Sequence, residues 1–344
     1  MGASIMNDWE YHKKEFIGLG GIIDNLVCRS GSIGRGLFRE GKIQRPKIFC
    51  PSHLLINVSD ATLVDGKFRL REDSKHSPQS RVFIENYYQN FSWEDSGRKE
   101  ACKFLEEITK IPEKAKNFIL NNNLCSDRLF SCEIGLPLFF QKFVESRSVC
   151  FQKKLVLAPV WELINHRQSA KPFQVSQAGI ETPACQPSNS KREIFFSYSQ
   201  RVSPVRMFFN YGFSSDEVFA YSLPVEIKLS DSDLIIRIEG EHAGIESCDK
   251  RISLKKNILK IPALPVGSIS KKLPAAYFYS IVQKYGLTEQ KASRLMNDLQ
   301  MANSEQRKHL VNHLRTDDMS DTGLSLVDAI NKEIVLIGNS SQEA

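Results

Sequence analysis

Apolar residues change their spacing along this chain, and each change marks a different kind of element. From Phe16 to Asn57, short apolar stretches are cut by Gly18, Gly20, Gly21, Gly31, Gly34, Gly36 and Gly41, which predicts short strands joined by tight turns. Ile48-Phe49-Cys50-Pro51 and Leu54-Leu55-Ile56-Asn57-Val58 continue that region. Between Arg81 and Val149 the period turns helical, with Ala101, Phe104, Leu105 and Ile108 on one face. Lys114–Leu120 and Leu136–Val144 follow the same period, and Pro112 and Pro137 suit helix first turns.

Strand character returns at Lys154–Leu157 and at Glu193–Tyr198. The polar stretch Arg167–Arg192, with Pro172, Pro183 and Pro187, predicts a loop. The apolar run Val156-Leu157-Ala158-Pro159-Val160-Trp161-Glu162-Leu163-Ile164 stops at Asn165-His166, which sets two polar side chains at the edge of a core. Glu193-Ile194-Phe195-Phe196-Ser197 ends likewise on Tyr198, and Asn210-Tyr211-Gly212-Phe213 follows. Beyond Ser214 a second region begins. Ile227, Leu229, Leu234, Ile236 and Ile238 alternate with polar residues, predicting strands about a turn at Asp231-Ser232-Asp233. Pro262, Pro265 and Pro274 precede a helical tail, where Thr288 suits an N-cap and Ser304–Leu314 is expected to open another helix. Asn339–Ala344 is expected to be disordered.

Composition narrows the function classes. At 344 residues the chain has room for about two domains, and 41% hydrophobic with 25% charged residues is an ordinary globular balance. No apolar run approaches the roughly 20 residues of a membrane helix. Met1–Lys14 holds no secretory h-region, and Met6 stands where a myristoylation signal wants Ser or Thr. A cytoplasmic protein without a membrane partner is expected. The net charge of +6 is spread out, with only short clusters such as Lys153-Lys154 and Lys271-Lys272, which argues against nucleic acid as a partner. None of the eight cysteines forms a CxxC pair, so no structural zinc is expected, only buried free thiols.

Taken singly, Tyr198 and Tyr211 read as half-buried core tyrosines, and Asn165 and His166 as hydrogen-bonded core groups. Gly34-Arg35-Gly36 is no Walker loop, because no Gly-Lys-Ser/Thr follows. The order of the pieces carries more. Gly31-Ser32-Ile33-Gly34-Arg35-Gly36-Leu37-Phe38, Ser146-Arg147-Ser148, Asn165-His166, Glu193–Tyr198 and Asn210–Phe213 together resemble the SET-domain methyltransferases. Within them the chain is most similar to the branch typified by the plant Rubisco large-subunit lysine methyltransferase. The resemblance covers about residues 17 to 214.

That resemblance implies an α+β SET-domain β-clip fold of short strands. It implies an N-terminal extension over 1–16 and a catalytic domain over 17–217 with a helical insertion at about 81–150. A C-terminal domain of mixed strands then helices would span 218–344. It implies S-adenosyl-L-methionine as cofactor and no metal, with a methyl group passed to a lysine of a protein substrate by a monomeric enzyme. Gly34, Arg35, Gly36, Arg147, Asn165, His166 and Tyr198 would contact the cofactor, with Arg147 at its carboxylate. Tyr198 would be the catalytic tyrosine, Tyr211 would line the lysine channel, and Phe173 is the candidate for a further channel aromatic. His166 is read as architecture and cofactor contact, not as a general base. Two departures stand out: Arg167 where the family often has Ser, and Val149 where an aromatic is usual. Histidine as acceptor, or an inactive SET-like interaction module, are the alternatives.

Overall fold

The computed structural model describes residues 2–31, 34–40, 46–130, 135–182, 192–198, 202–229, 233–240, 251–316 and 318–341, the side chains of 2–7, 94–96 and 341 excepted. Helices and short strands are mixed in an α+β arrangement. The chain divides into two compact units, Met1–Lys103 with Ile134–Ser199, and Phe104–Glu133 with Gln200–Ala344. The segment expected as a helical insertion thus contributes to both.

The first unit is built from small sheets. Strands β1 (Ile22–Asp24), β2 (Leu26–Gly31), β3 (Gly34–Arg39), β4 (Lys47–Pro51), β5 (Ile56–Asn57), β6 (Ala61–Val64) and β7 (Lys67–Leu70) precede the helices. After them come β8 (Ser148–Phe151), β9 (Lys154–Leu157), β10 (Asn165–His166), β11 (Gln174–Ser176), β12 (Gly179–Glu181) and β13 (Phe195–Phe196). They pair as β1-β4-β12-β11, β5-β9-β8, the hairpins β2-β3 and β6-β7, and the two-stranded β10-β13. Asp65-Gly66 turns the β6-β7 hairpin with both residues at positive φ, which is the local chemistry a tight hairpin wants.

The loop expected over Arg167–Arg192 therefore contains a hairpin, β11-β12, that docks on β4. Its anchor is Gly179: a Cβ there would lie 2.1 Å from the Cys50 carbonyl oxygen, so only glycine allows the strands to meet. The N-terminal extension is a helix, Gly2–Gly18, which buries Trp9, His12 and Phe16 on one face. Phe68, Tyr88, Trp93 and Phe143 form the aromatic centre of the same core.

In the second unit, β14 (Phe219–Tyr221) pairs with β19 (Pro265–Ser268), and β15 (Val225–Lys228), β16 (Ile235–Ile238), β18 (Ile258–Ile261) and β17 (Ser253–Lys255) form a sheet in that order. The strands expected across 226–239 are β15 and β16, and residues 230–232 of their turn lie outside the described residues. Thr288 caps the next helix as expected, its hydroxyl accepting from the Lys291 N–H at 3.4 Å. That helix runs unbroken from Glu289 to Leu314, so Ser304 opens nothing. Asn303 and Arg307 are buried within it, and polar residues at core positions gave the stretch the look of a boundary. A last helix, Asp321–Ser341, takes in Asn339–Ser341, which were expected to be disordered; 342–344 lie outside the described residues. Among the described residues no helix is long and apolar enough to cross a membrane.

Candidate functional site

The apolar run from β9 ends in a sharp bend. Val160, fully buried, has φ 66° and ψ −42°, and the Trp161 N–H reaches back to the Pro159 carbonyl at 2.7 Å. This is a γ-turn of the strained hand, which a β-branched residue rarely adopts. It leads into a single helical turn, Trp161–Leu163, and then into β10. β10 pairs in parallel with β13, setting Asn165 opposite Phe195 and His166 opposite Phe196.

This pairing brings Tyr198 back over His166. The Tyr198 N–H donates to His166 Nδ1 at 3.0 Å, its hydroxyl donates to the Ile164 carbonyl at 3.1 Å, and the two rings lie 5.0 Å apart. Because Nδ1 accepts from a backbone N–H, it carries no proton, and a neutral His166 holds its proton on Nε2. Nδ1 is thereby occupied by architecture.

Asn165 faces β3. Its Nδ2 donates to the Arg35 carbonyl at 3.1 Å and to Glu193 Oε1 at 2.5 Å. Glu193 is itself laid beside β3 by a bridge to Phe38 and by the Ile194 N–H to Leu37 carbonyl bond of 2.8 Å. Gly34 takes φ 102°, which suits glycine, while Ser32 and Ile33 lie outside the described residues. At Gly36 a Cβ would meet Glu193 Oε1 at 2.1 Å and Asn165 Nδ2 at 3.0 Å. The Arg35 guanidinium sits 4.5 Å over the Phe91 ring.

Arg147 ends the helix Leu136–Arg147. It donates to Glu100 Oε2 at 2.8 Å and to Ser146 Oγ at 2.9 Å, and lies 4.4 Å over the Phe143 ring. Its Nε is 3.8 Å from Oε2 of Glu162, whose side chain is only 1% exposed. Burial raises the Glu162 pKa, with Arg147 the first of the groups that oppose the rise. The Tyr87 hydroxyl donates to Glu162 Oε1 at 3.1 Å, while Oε2 has no hydrogen-bond partner.

Phe173 packs edge-on against Trp161 and Phe196, 6.0 and 5.5 Å between centroids, and Phe196 in turn lies 5.0 Å from Tyr198. Asn165, His166, Arg35 and Tyr198 are thus joined by direct contacts or chain adjacency, Gly36 follows Arg35 on β3, and Phe173 reaches Tyr198 through one ring. Arg167, following the pair, stacks 3.7 Å over Phe195. Tyr211 belongs to the second unit, at the end of the helix Pro204–Tyr211, which Ser203 caps and Gly212 terminates at φ 83°. Burial pushes its phenol up to about 12, and Glu217 adds to the rise. Among the described residues no group of His, Cys, Asp or Glu is placed to hold a metal ion.

Sequence reading did not single out Glu162, Glu193 or Tyr87. Glu162 had a signal, being the one charge inside the apolar run before Asn165. Tyr87 had none, since its contact spans 75 positions.

No family model matches the chain, and no curated protein does. Solved structures do. A structure of the SET domain of LSMT bound to lysine and AdoHcy is 16% identical with a TM-score of 0.43, covering 97% of this chain and 90% of its own. The SET domain of LSMT bound to methyllysine and AdoHcy gives 15%, a TM-score of 0.48, and 96% and 90% coverage. Rubisco LSMT bound to AdoMet gives 15%, a TM-score of 0.47, and 97% and 90% coverage. At that level of likeness the function has to be read from this chain's own residues.

Proposed function

We propose that the protein is an S-adenosyl-L-methionine-dependent protein methyltransferase whose acceptor is a lysine side chain of a protein substrate. The observation that carries this reading is the β10-β13 pairing, which gathers Asn165, His166 and Tyr198 beside the Gly34-Arg35-Gly36 strand. The donor set fits the cofactor. Arg147 is a half-buried guanidinium able to take a carboxylate, and Asn165, with its N–H groups committed, offers Oδ1 as acceptor for an ammonium. Glu162 Oε2, 3.8 Å from Arg147 Nε, is a buried acceptor without a hydrogen-bond partner.

When bound, S-adenosylmethionine supplies a methyl group already activated on a sulfonium, so the protein's task is alignment. Among the rings of Phe173, Phe196 and Tyr198 an ammonium would lose its hydration, which favours the neutral amine that can attack. The Tyr198 hydroxyl gives its proton to the Ile164 carbonyl, so toward the reacting centre its oxygen acts as an acceptor and not as a donor. Tyr211 is proposed to line the acceptor channel, and the enzyme is proposed to act as a cytoplasmic monomer.

Calorimetry with S-adenosylmethionine and incubation of the labelled cofactor with protein lysates test the reading. Binding with label on a lysine is expected. Label on histidine would change the acceptor, binding without transfer would leave an interaction module, and absence of binding would overturn the proposal.

A further inference from the structure

Gly36 has a second occupant to explain. In the proposed site a glycine there would serve close approach of the chain to the cofactor, yet the group seated over it is the Glu193 carboxylate. A Cβ on Gly36 would come within 2.1 Å of Oε1 and 2.9 Å of Cδ, and one on Gly31 within 3.1 Å of Oε2. Two glycines on facing strands of the β2-β3 hairpin therefore form a socket for one carboxylate. Gly36 lies outside the positive-φ residues, so its backbone does not require glycine; the space does.

From this socket Glu193 Oε1 accepts from Asn165 Nδ2, while the Arg35 carbonyl accepts from the same nitrogen. Two oxygen acceptors on one amide nitrogen settle which way the amide faces. A flipped Asn165 would set Oδ1 against both oxygens, losing two hydrogen bonds and gaining repulsion. Without the carboxylate only the Arg35 carbonyl would hold the amide.

We infer that Glu193 is a positioning residue: held in the Gly31–Gly36 socket, it locks the Asn165 amide with Oδ1 presented as an acceptor for the ammonium end of the cofactor. This rests on the methyltransferase reading for its ligand, but the lock itself is a property of the chain alone.

The test uses the full chain with Glu193→Ala, Glu193→Gln, Gly36→Ala and the double Gly36→Ala/Glu193→Ala. Affinity for S-adenosylmethionine is measured by calorimetry, and the Asn165 side-chain amide resonances are followed without ligand. Glu193→Ala is expected to weaken binding about ten-fold, the loss of one charge-assisted bond, and to shift the Asn165 resonances upfield. Glu193→Gln, whose side-chain oxygen still accepts, should restore most of the affinity. Gly36→Ala should shift the Asn165 resonances as Glu193→Ala does by displacing the carboxylate, and the double variant should shift them no further than either single. Unchanged affinity and resonances in Glu193→Ala, or additive shifts in the double, would overturn the inference. Should Glu193→Ala fail to fold, the Asn165 resonances of Gly36→Ala against those of Glu193→Gln decide it. A wild type that binds no S-adenosylmethionine would sink the functional reading, while the resonances still judge the lock.

Discussion

Tyr198 is held by two bonds that do different things. Its backbone N–H takes His166 Nδ1, which fixes the imidazole, and its hydroxyl takes the Ile164 carbonyl, which fixes the phenol oxygen. Tyr198→Phe leaves the first bond and the ring packing intact and removes only the oxygen. Turnover should fall about a hundred-fold, with cofactor affinity within about two-fold; steady-state kinetics and calorimetry read the split. Arg147 allows a paired comparison. Its guanidinium already holds Glu100, a side chain 58% exposed and easily moved, and leans on the buried Glu162. A cofactor carboxylate would take the place of Glu100, so Glu100→Ala should tighten S-adenosylmethionine binding a few-fold. Arg147→Ala should weaken it by about ten-fold or more, and equal losses in both would argue against exchange at that edge. Asn165, His166 and Tyr198 were legible because each ends an apolar run. Glu193 and Tyr87 were not, because their meaning lies in partners brought close only by the fold.

At the scale of elements, period reading found what is amphipathic and lost what is interrupted. The face Ala101, Phe104, Leu105 and Ile108 is buried as its spacing required. The N-terminal helix carries the same signal in Trp9, His12 and Phe16, but a histidine at a core position and a charged surface concealed it. The γ-turn at Val160 could not be read at all, since nothing local favours it and only the surrounding packing holds it. That buried histidine gives the helix a pH dependence. His12 lies against Tyr87 and Phe91, its Nδ1 has no partner, and burial lowers its pKa to about 4, with Asp8 opposing. The unfolded chain protonates it near 6.5, so the stability it contributes is complete above that pH and is lost as pH falls toward 4. Burial lowers the His76 pKa as well, so the wild type carries both effects. Urea titrations between pH 7 and 4 should show His12→Phe losing less stability than wild type, by a slope approaching about 1.4 kcal/mol per pH unit. Parallel curves would remove His12 from the account.

Over the whole molecule, the α+β class came from the resemblance carried by the ordered motifs, and the alternation of short strands and helical periods gave the elements; the division of the chain into units is not a local property. Residues 104–133 lie in the helical stretch of the sequence and pack with the C-terminal unit, and only long-range burial decides that. What organises the second unit is similarly non-local. Arg307, 3% exposed, donates to the fully buried Glu333 at 2.7 Å, to the Tyr221 carbonyl at 2.6 Å and to Asn303 Oδ1 at 2.9 Å. Glu333 also accepts from the Val205 N–H at 3.1 Å, and Asn303 from the Leu223 N–H at 2.8 Å. One network therefore ties both long helices, Glu289–Leu314 and Asp321–Ser341, to the chain around β14 and to the helix Pro204–Tyr211 that ends in Tyr211. The energetic asymmetry of buried pairs makes a sharp forecast. Arg307→Ala strands a carboxylate in the core and should cost about 3–5 kcal/mol in urea unfolding, whereas Arg307→Met/Glu333→Leu, which removes both charges, should cost clearly less. The double should still fall short of wild type, because the Val205 N–H loses its acceptor. If the single variant unfolds within about 0.5 kcal/mol of wild type, the network is not what holds these helices to the strand end.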